Sequence, residues 1–129
     1  MTTTIPLPTS PLARYREFLK EGQLAYQVDS ASGTSVFYPR VVAPQSGNTL
    51  DWKVSRGTGT VYATTTISPK SGLPYNVALV DMDEGFRLMS RVESIDAAYV
   101  LIGMRVRARI HHPAGEESPY PVFDPLEAA

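Results

Sequence analysis

The chain has 129 residues, enough for one compact domain or one small domain with an extension. Its 12 basic and 13 acidic residues leave a net charge of −1, so it has no general attraction for nucleic acid or an anionic membrane. It contains no cysteine, which excludes disulfides, thiolate catalysis and cysteine-ligated metals. Met1 to Pro8 carries neither a basic patch nor an apolar core, and no secretory signal is visible there. The longest apolar run, Ala97 to Met104, falls well short of the ~20 residues that span a bilayer. A cytoplasmic protein with no membrane contact is the expectation.

Met1 to Ser10, rich in Thr and Pro, reads as a loose tail or a strap that orders only against something else. Ser10-Pro11 is a helix start, an N-cap followed by proline in the first turn. Leu12, Tyr15, Phe18 and Leu19 then fall at helical spacing until Gly22 stops the helix. Short strands follow at Leu24–Val28, Ser35–Tyr38 and Thr49–Val54, separated by turns at Asp29–Gly33 and Pro44–Gly47. Two similar turns between short strands make a β-knuckle, and the last strand carries the only tryptophan, Trp52.

The stretch Gly57–Ile67 is β-branched and aromatic, carries no charge and opens on two glycines, so it predicts a long strand with a bend at its start. A boundary is expected at Gly57, giving a tail and helix over 1–22, a knuckle over 23–56 and a β-domain over 57–129. Tyr75–Met82 and Phe86–Val92 pair across the hairpin turn Asp83-Glu84-Gly85. Ser94–Ala98 is expected to make one helical turn. In the next strand Met104, Val106, Ala108 and Ile110 point one way, and Arg105, Arg107, Arg109 and His111 the other. Gly115–Ser118 turns the chain into a closing strand at Pro121–Phe123. The fold class is mostly β, with an N-terminal helix, a knuckle and a five-stranded Greek-key barrel of the OB type.

These residues resemble the zinc-ribbon-containing OB-fold proteins called domain of unknown function 35. The resemblance runs over nearly the whole chain: Lys20-Glu21-Gly22, Phe37-Tyr38-Pro39-Arg40, Trp52, Gly59-Thr60-Val61-Tyr62, Pro74-Tyr75, Ala78-Leu79-Val80, Asp83-Glu84-Gly85 with Arg87-Leu88, Ile102-Gly103-Met104 and Pro121-Val122-Phe123. That family usually carries two Cys-x-x-Cys knuckles, each followed by glycine. Here the corresponding stretches read Asp29-Ser30-Ala31-Ser32-Gly33 and Ala43-Pro44-Gln45-Ser46-Gly47, so the ligand positions Asp29, Ser32, Ala43 and Ser46 have lost all four thiolates. A carboxylate, two serines and an alanine cannot build a structural zinc site. The knuckle is therefore expected to be metal-free and degenerate. Hydrogen-bonded turns at Asp29 and Ser32 should hold it, with Phe37, Tyr38 and Trp52 packed on the barrel or a partner.

Stand-alone chemistry finds little support. His111 and His112 could be joined by Asp29 or Glu116 around a metal, but adjacent strand residues point to opposite faces. No serine sits in a nucleophile elbow. Asp81, Asp83 and Glu84 belong to a hairpin tip, where carboxylates are solvated. The stripe Arg105, Arg107, Arg109 either holds the phosphates of coenzyme A or an acidic partner surface, or forms the solvated outer face of a barrel strand, and the last reading is favoured. Nucleic-acid binding, the reflex guess for an OB barrel, needs a basic groove with exposed aromatics, and the charge here is balanced.

The resemblance implies an accessory subunit, not an enzyme in its own right. It would bind a thiolase-like acyl-CoA enzyme in a hetero-oligomer, with no bound cofactor of its own and acyl-CoA at the interface. The alternative is a free-standing OB-fold module for acyl-CoA or single-stranded nucleic acid. Tyr15, Phe18, Phe37, Tyr38 and Arg40 are the candidate partner-binding residues, on the view that a small barrel cannot cover both helix and knuckle.

Overall fold

A computed structural model describes residues 10–115 and 117–126. The strap expected over the first ten residues lies, but for Ser10, outside them, and so does Glu116. Helix α1 (Pro11–Lys20) starts where its cap chemistry puts it: Ser10 Oγ accepts the Ala13 N–H at 3.1 Å, and Pro11 fills a position whose N–H would have no partner. Gly22, at φ +78°, ends the helix, and the amides of Glu21 and Gln23 turn back onto the Phe18 carbonyl. Tyr15 and Leu19 form its buried face.

Strands β1 (Ala25–Asp29), β2 (Ser35–Val36) and β3 (Leu50–Val54) make an antiparallel sheet in the order β2-β1-β3, with β1 buried along its whole length. The strand expected over Ser35–Tyr38 is only two residues long. Beyond Val36 the Gln27 side chain replaces the ladder: its Oε1 accepts the Arg40 N–H at 2.7 Å and its Nε2 donates to the Arg40 carbonyl at 2.8 Å. Phe37 is thereby freed to turn inward.

The second sheet contains β4 (Thr58–Ile67), β5 (Tyr75–Met82), β6 (Arg87–Ser90), β7 (Arg105–His111) and β8 (Tyr120–Pro125), in the order β6-β5-β4-β7-β8. Its two ends meet. Val92, just past β6, bridges Phe123 in parallel sense, with the Phe123 N–H on the Arg91 carbonyl at 2.9 Å and the Glu93 N–H on the Phe123 carbonyl at 2.6 Å. This closes the sheet into the OB barrel, so the strand expected as far as Val92 contributes its last residues to closure rather than to the β5 hairpin. Along β5 and β7 alternate residues face inward, as period-2 patterning predicts, with Ala78, Val80, Met82 and Val106 buried.

The bend expected at the start of β4 lies further in, as a register shift between Val61 and Ala63. Just before it, a Cβ at Gly59 would lie 2.7 Å from the Asp81 carbonyl oxygen, so β4 and β5 approach this closely only because the residue is glycine. Past Thr60, β4 has no pairing with β7. The segment 97–104 takes that edge instead, through Gly103 N–H to Val61 O (2.8 Å), Val61 N–H to Met104 O (2.9 Å) and Thr66 Oγ1 to Ala97 O (3.3 Å). The helical turn expected at Ser94–Ala98 is a 3-10 turn at Ala97–Tyr99. Ser94 lies at φ +65°, outside any helix, with its hydroxyl donating to Asp124 Oδ1 at 2.9 Å.

One hydrophobic cluster runs from α1 and β1 through the barrel. Its junction is aromatic. Phe86 stacks on Tyr26 (ring centroids 4.7 Å apart) and on Phe37 (5.2 Å), and Phe37 meets Tyr15 edge-on at 5.5 Å.

Candidate functional site

The four positions that the resemblance matched to metal ligands, Asp29, Ser32, Ala43 and Ser46, lie on two turns around one carboxylate. Asp29 ends β1 and is only 5% exposed. Its Oδ1 accepts the backbone N–H groups of Ala31 (2.9 Å) and Ser32 (3.3 Å), its Oδ2 accepts the Ser46 hydroxyl (2.8 Å), and Asn48 Nδ2 donates to both oxygens. Ser32 Oγ turns away to Thr34, and Ala43 is buried with nothing to offer a metal. The two turns share one build: Gly33 N–H bonds Asp29 O and Gly47 N–H bonds Ala43 O, with both glycines at positive φ. The Ala31 amide, followed by the Ser46 hydroxyl, holds the Asp29 carboxyl down at about 2. These donors do not fit zinc: no thiolate or imidazole is among them, and the one carboxylate is already saturated. Elsewhere among the described residues, no three His, Asp or Glu side chains gather as a metal set. His111 lies against Tyr120 instead, with ring centroids 5.1 Å apart.

The candidate partner-binding residues divide. Tyr15, at 6% exposure, and Phe37, half-buried on Phe86, are used inside the fold, because the junction aromatics Tyr26 and Phe86 cover what the barrel alone was not expected to cover. Phe18 packs on Trp52 at 5.5 Å under the Arg14 guanidinium, so Trp52 braces the helix rather than the barrel. Tyr38 and Arg40 are exposed.

The arginine stripe is aligned as predicted but largely neutralised. Arg105 grips Asp83 with two hydrogen bonds (2.7 and 2.8 Å), and Arg109 bridges Asp124 and Glu93 at 2.9 Å each. Arg105, then the Thr58 hydroxyl, holds Asp83 at about 2; Arg109 lowers Asp124 in the same way. Arg107 is the one member with no ion pair among the described residues. A face whose cations are matched by its own carboxylates has little left for a polyphosphate.

Two features escaped the sequence reading. Tyr99, Leu101 and Ile102, on the segment that borders β4, are 65%, 64% and 71% exposed. They lie in the longest apolar run of the chain, for which no surface role was expected. The second is a groove of about 640 Å³ between α1 and the barrel, reached by Leu12, Tyr15, Tyr38, Tyr75 and Tyr120. Nothing local in the sequence marks it, since its walls come from five separate segments.

The comparisons with known proteins agree with this architecture. The model of the ChsH2 C-terminal OB-fold domain matches residues 52–111. A chain of the Ltp2-ChsH2(DUF35) aldolase is 31% identical with a TM-score of 0.78, the match covering 94% of this chain and 98% of that one. A DUF35 protein of unknown function from Sulfolobus solfataricus shares the fold at 16% identity and a TM-score of 0.60, over 74% of each chain. Among curated proteins, the 3-oxo-4,17-pregnadiene-20-carboxyl-CoA hydratase alpha subunit of Mycobacterium tuberculosis is 36% identical over 63 residues, 46% of this chain. The match spans only a fifth of that relative's length. With an end-to-end relative above 30% identity, a closed OB barrel and a cysteine-free knuckle, the chain belongs to the DUF35 family of OB-fold proteins.

Proposed function

We propose that this chain is a non-catalytic accessory subunit of an acyl-CoA-processing complex, bound to a thiolase-like enzyme whose substrate site it helps to shape. The observation that carries this reading is the end-to-end likeness to a chain of the Ltp2-ChsH2(DUF35) aldolase. The name of the curated relative, a hydratase subunit for a carboxyl-CoA substrate, supports acyl-CoA as the ligand class at the interface. The strongly held carboxylates of the chain suit this role, because Asp29 and Asp83 near 2 are far too weak as bases to serve near neutral pH. No helix among the described residues is long and apolar enough to cross a membrane, in keeping with work in the cytoplasm.

Tyr99, Leu101 and Ile102 supply the centre of the partner surface in this reading, with Tyr38 and Arg40 as further contacts. An obligate interface buries about 2,000 Å² or more, with apolar and aromatic residues at its middle. The test is purification of the tagged full chain from its native host, followed by acyl-CoA turnover assays with and without the captured protein. The expected result is a stoichiometric thiolase-like enzyme whose turnover rises in the complex. Leu101→Ser with Ile102→Ser should release it while the melting temperature stays unchanged. Turnover by the isolated chain, or a monomer that ignores every acyl-CoA enzyme of its host, would overturn the proposal.

A further inference from the structure

Of the two sheets, the barrel closes on itself and the knuckle does not. One side of the knuckle ends in β2, two residues long, where the Gln27 side chain takes over the ladder. The other side ends in β3, whose one strand partner among the described residues is β1. The Ser30 N–H on the Thr49 carbonyl (3.0 Å) and the Ser55 N–H on the Leu24 carbonyl (2.8 Å) fix the phase of that ladder. By the alternation of an antiparallel pair, Asp51 and Lys53 turn their peptide groups toward β1, while Leu50, Trp52 and Val54 turn theirs outward. No described residue bonds these outward groups. The edge is also held in shape, because Trp52 at its middle packs on Phe18 of α1 at 5.5 Å.

An open edge is a template for another strand, and a lysine such as Lys53 commonly guards it. Here the lysine is matched. Asp51 stands on the other side of Trp52 and on the same face of the strand; both charges are exposed, and neither makes an ion pair with a described residue. Set β3 antiparallel to a second copy, about a two-fold axis at Trp52, and Asp51 of each copy faces Lys53 of the other. They fall at the non-hydrogen-bonded positions, where facing side chains come closest. Leu50 then faces Val54 and Trp52 faces Trp52, each exchanging its free N–H and C=O bonds with its opposite number. The two copies of β1 would lie three strand spacings apart, about 14 Å, which leaves room for the α1 helices packed on them, each about 10–12 Å across.

We propose that the outer edge of β3 pairs with β3 of a second copy of this chain, antiparallel and centred on Trp52, joining two knuckles into one continuous sheet. The pairing uses none of the residues assigned to the enzyme partner, so it stands apart from the proposed function. Two five-residue edges make a small interface, below about 1,200 Å², and the dimer should dissociate at about 1–100 μM.

Sedimentation equilibrium of the untagged full chain across that range tests it. Asp51→Lys and Lys53→Asp should each weaken the dimer by about 5–30-fold, since each turns two facing charge pairs from attraction to repulsion. Mixing the two variants in equal amounts should restore wild-type affinity, and so should both exchanges in one chain. Val54→Pro removes an outward N–H that no described residue uses, so it should abolish pairing and leave the circular dichroism spectrum unchanged. In the wild type, amide exchange at Leu50, Trp52 and Val54 should slow as concentration rises. A chain that stays monomeric to about 1 mM, a dimer indifferent to the charge reversals, or a mixture that fails to restore it would each overturn the proposal. So would protection of the Trp52 amide in dilute monomer, because a segment of the same chain, such as residues 1–9, would then cover the edge. Protection that appears only with an enzyme partner, in chain too dilute to dimerise, would assign the edge to that enzyme and overturn it equally.

Discussion

The knuckle and the barrel of this chain are held together by different physics. The barrel closes on itself, so its backbone groups find partners around the ring, and its centre is packed with Val61, Val80, Val106, Val122 and Phe123, all essentially without solvent contact. The knuckle has two five-residue strands and one of two residues, too little sheet to enclose a core of its own. In place of a metal cross-link it has the Asp29 carboxylate and gathers two amides, a hydroxyl and a carboxamide around it. A metal cross-link in isolated zinc-finger peptides is worth roughly 10–16 kcal/mol, far more than a few charge-assisted hydrogen bonds at about 1.5–3 kcal/mol each before solvent competition. The carboxylate therefore sets the geometry of the two turns, while much of the knuckle's anchorage must come from Tyr26 and Phe37 stacked on Phe86 of the barrel.

The largest effect should follow from cutting that anchorage. Phe86→Ala removes a buried ring that belongs to both regions, at a cost of about 3–5 kcal/mol. Urea unfolding should remain a single transition, because one cluster spans both regions. A two-step transition, with the barrel persisting after the knuckle is lost, would show the two to be separable.

Asn76→Ala strikes the barrel's closure. It leaves the buried Val92 N–H without its acceptor, next to the bridge to Phe123, and should cost about 1–3 kcal/mol. Hydrogen exchange should accelerate at Val92 and Glu93 and remain slow at Gln27 in the knuckle. Equal acceleration at both sites would mean that the knuckle opens locally whenever the barrel's closure does.

Acid should do the reverse. Asp29 sits at about 2 in the fold against an ordinary 3.8, so its ionised form is favoured by folding. The stability it adds is present above pH 4 and is lost as the pH falls through about 2. NMR of the turns at 29–33 and 43–47 should show them loosening across that window before the barrel does. Asp29→Asn should remove the pH dependence of these turns and lower the melting temperature by roughly 3–8 °C. Elemental analysis of untagged protein should find no stoichiometric zinc, and a chelator should leave the melting temperature alone. One zinc per chain with unfolding on chelation would erase the contrast between the two regions.

How much of this could be read beforehand follows the range of the interactions. Ser10-Pro11 and Gly22 bound α1 because capping is settled within four residues. The alternation in β5 and β7 and the turn at Asp83-Glu84-Gly85 were legible because period 2 and turn chemistry are local. The Asp29 hub was half legible: Ser32 was expected to help, but Asn48, outside the ligand pattern, supplies the contact to both oxygens. What failed was non-local. That Phe37 faces inward depends on Phe86, about fifty residues further along the chain, and Tyr15 in turn packs on Phe37. The ion pairs that neutralise Arg105 and Arg109 come from a hairpin tip and from β8, which no pattern within β7 announces.

The smallest effect belongs to the outer face of the barrel. Arg105 holds Asp83 bidentately, but both side chains remain more than a third exposed, so solvent and salt screen the pair. Arg105→Ala should shift the melting temperature by no more than about 2 °C at neutral pH. The variant should still be visible in the titration of Asp83. With the guanidinium gone and only the Thr58 hydroxyl left, the carboxyl should climb from about 2 toward the ordinary 3.8. The sign follows from the depressed folded value: the pair stabilises the fold above pH 4, the contribution fades as pH falls toward 2, and the variant should lose that fading component. Carboxyl-detected NMR of both proteins from pH 1.5 to 6, repeated in 0.5 M salt, measures it directly. A melting temperature that falls as far as in Asp29→Asn would mean that the exposed pair constrains the barrel as strongly as the buried hub constrains the knuckle, and the division between the two regions would have to be redrawn.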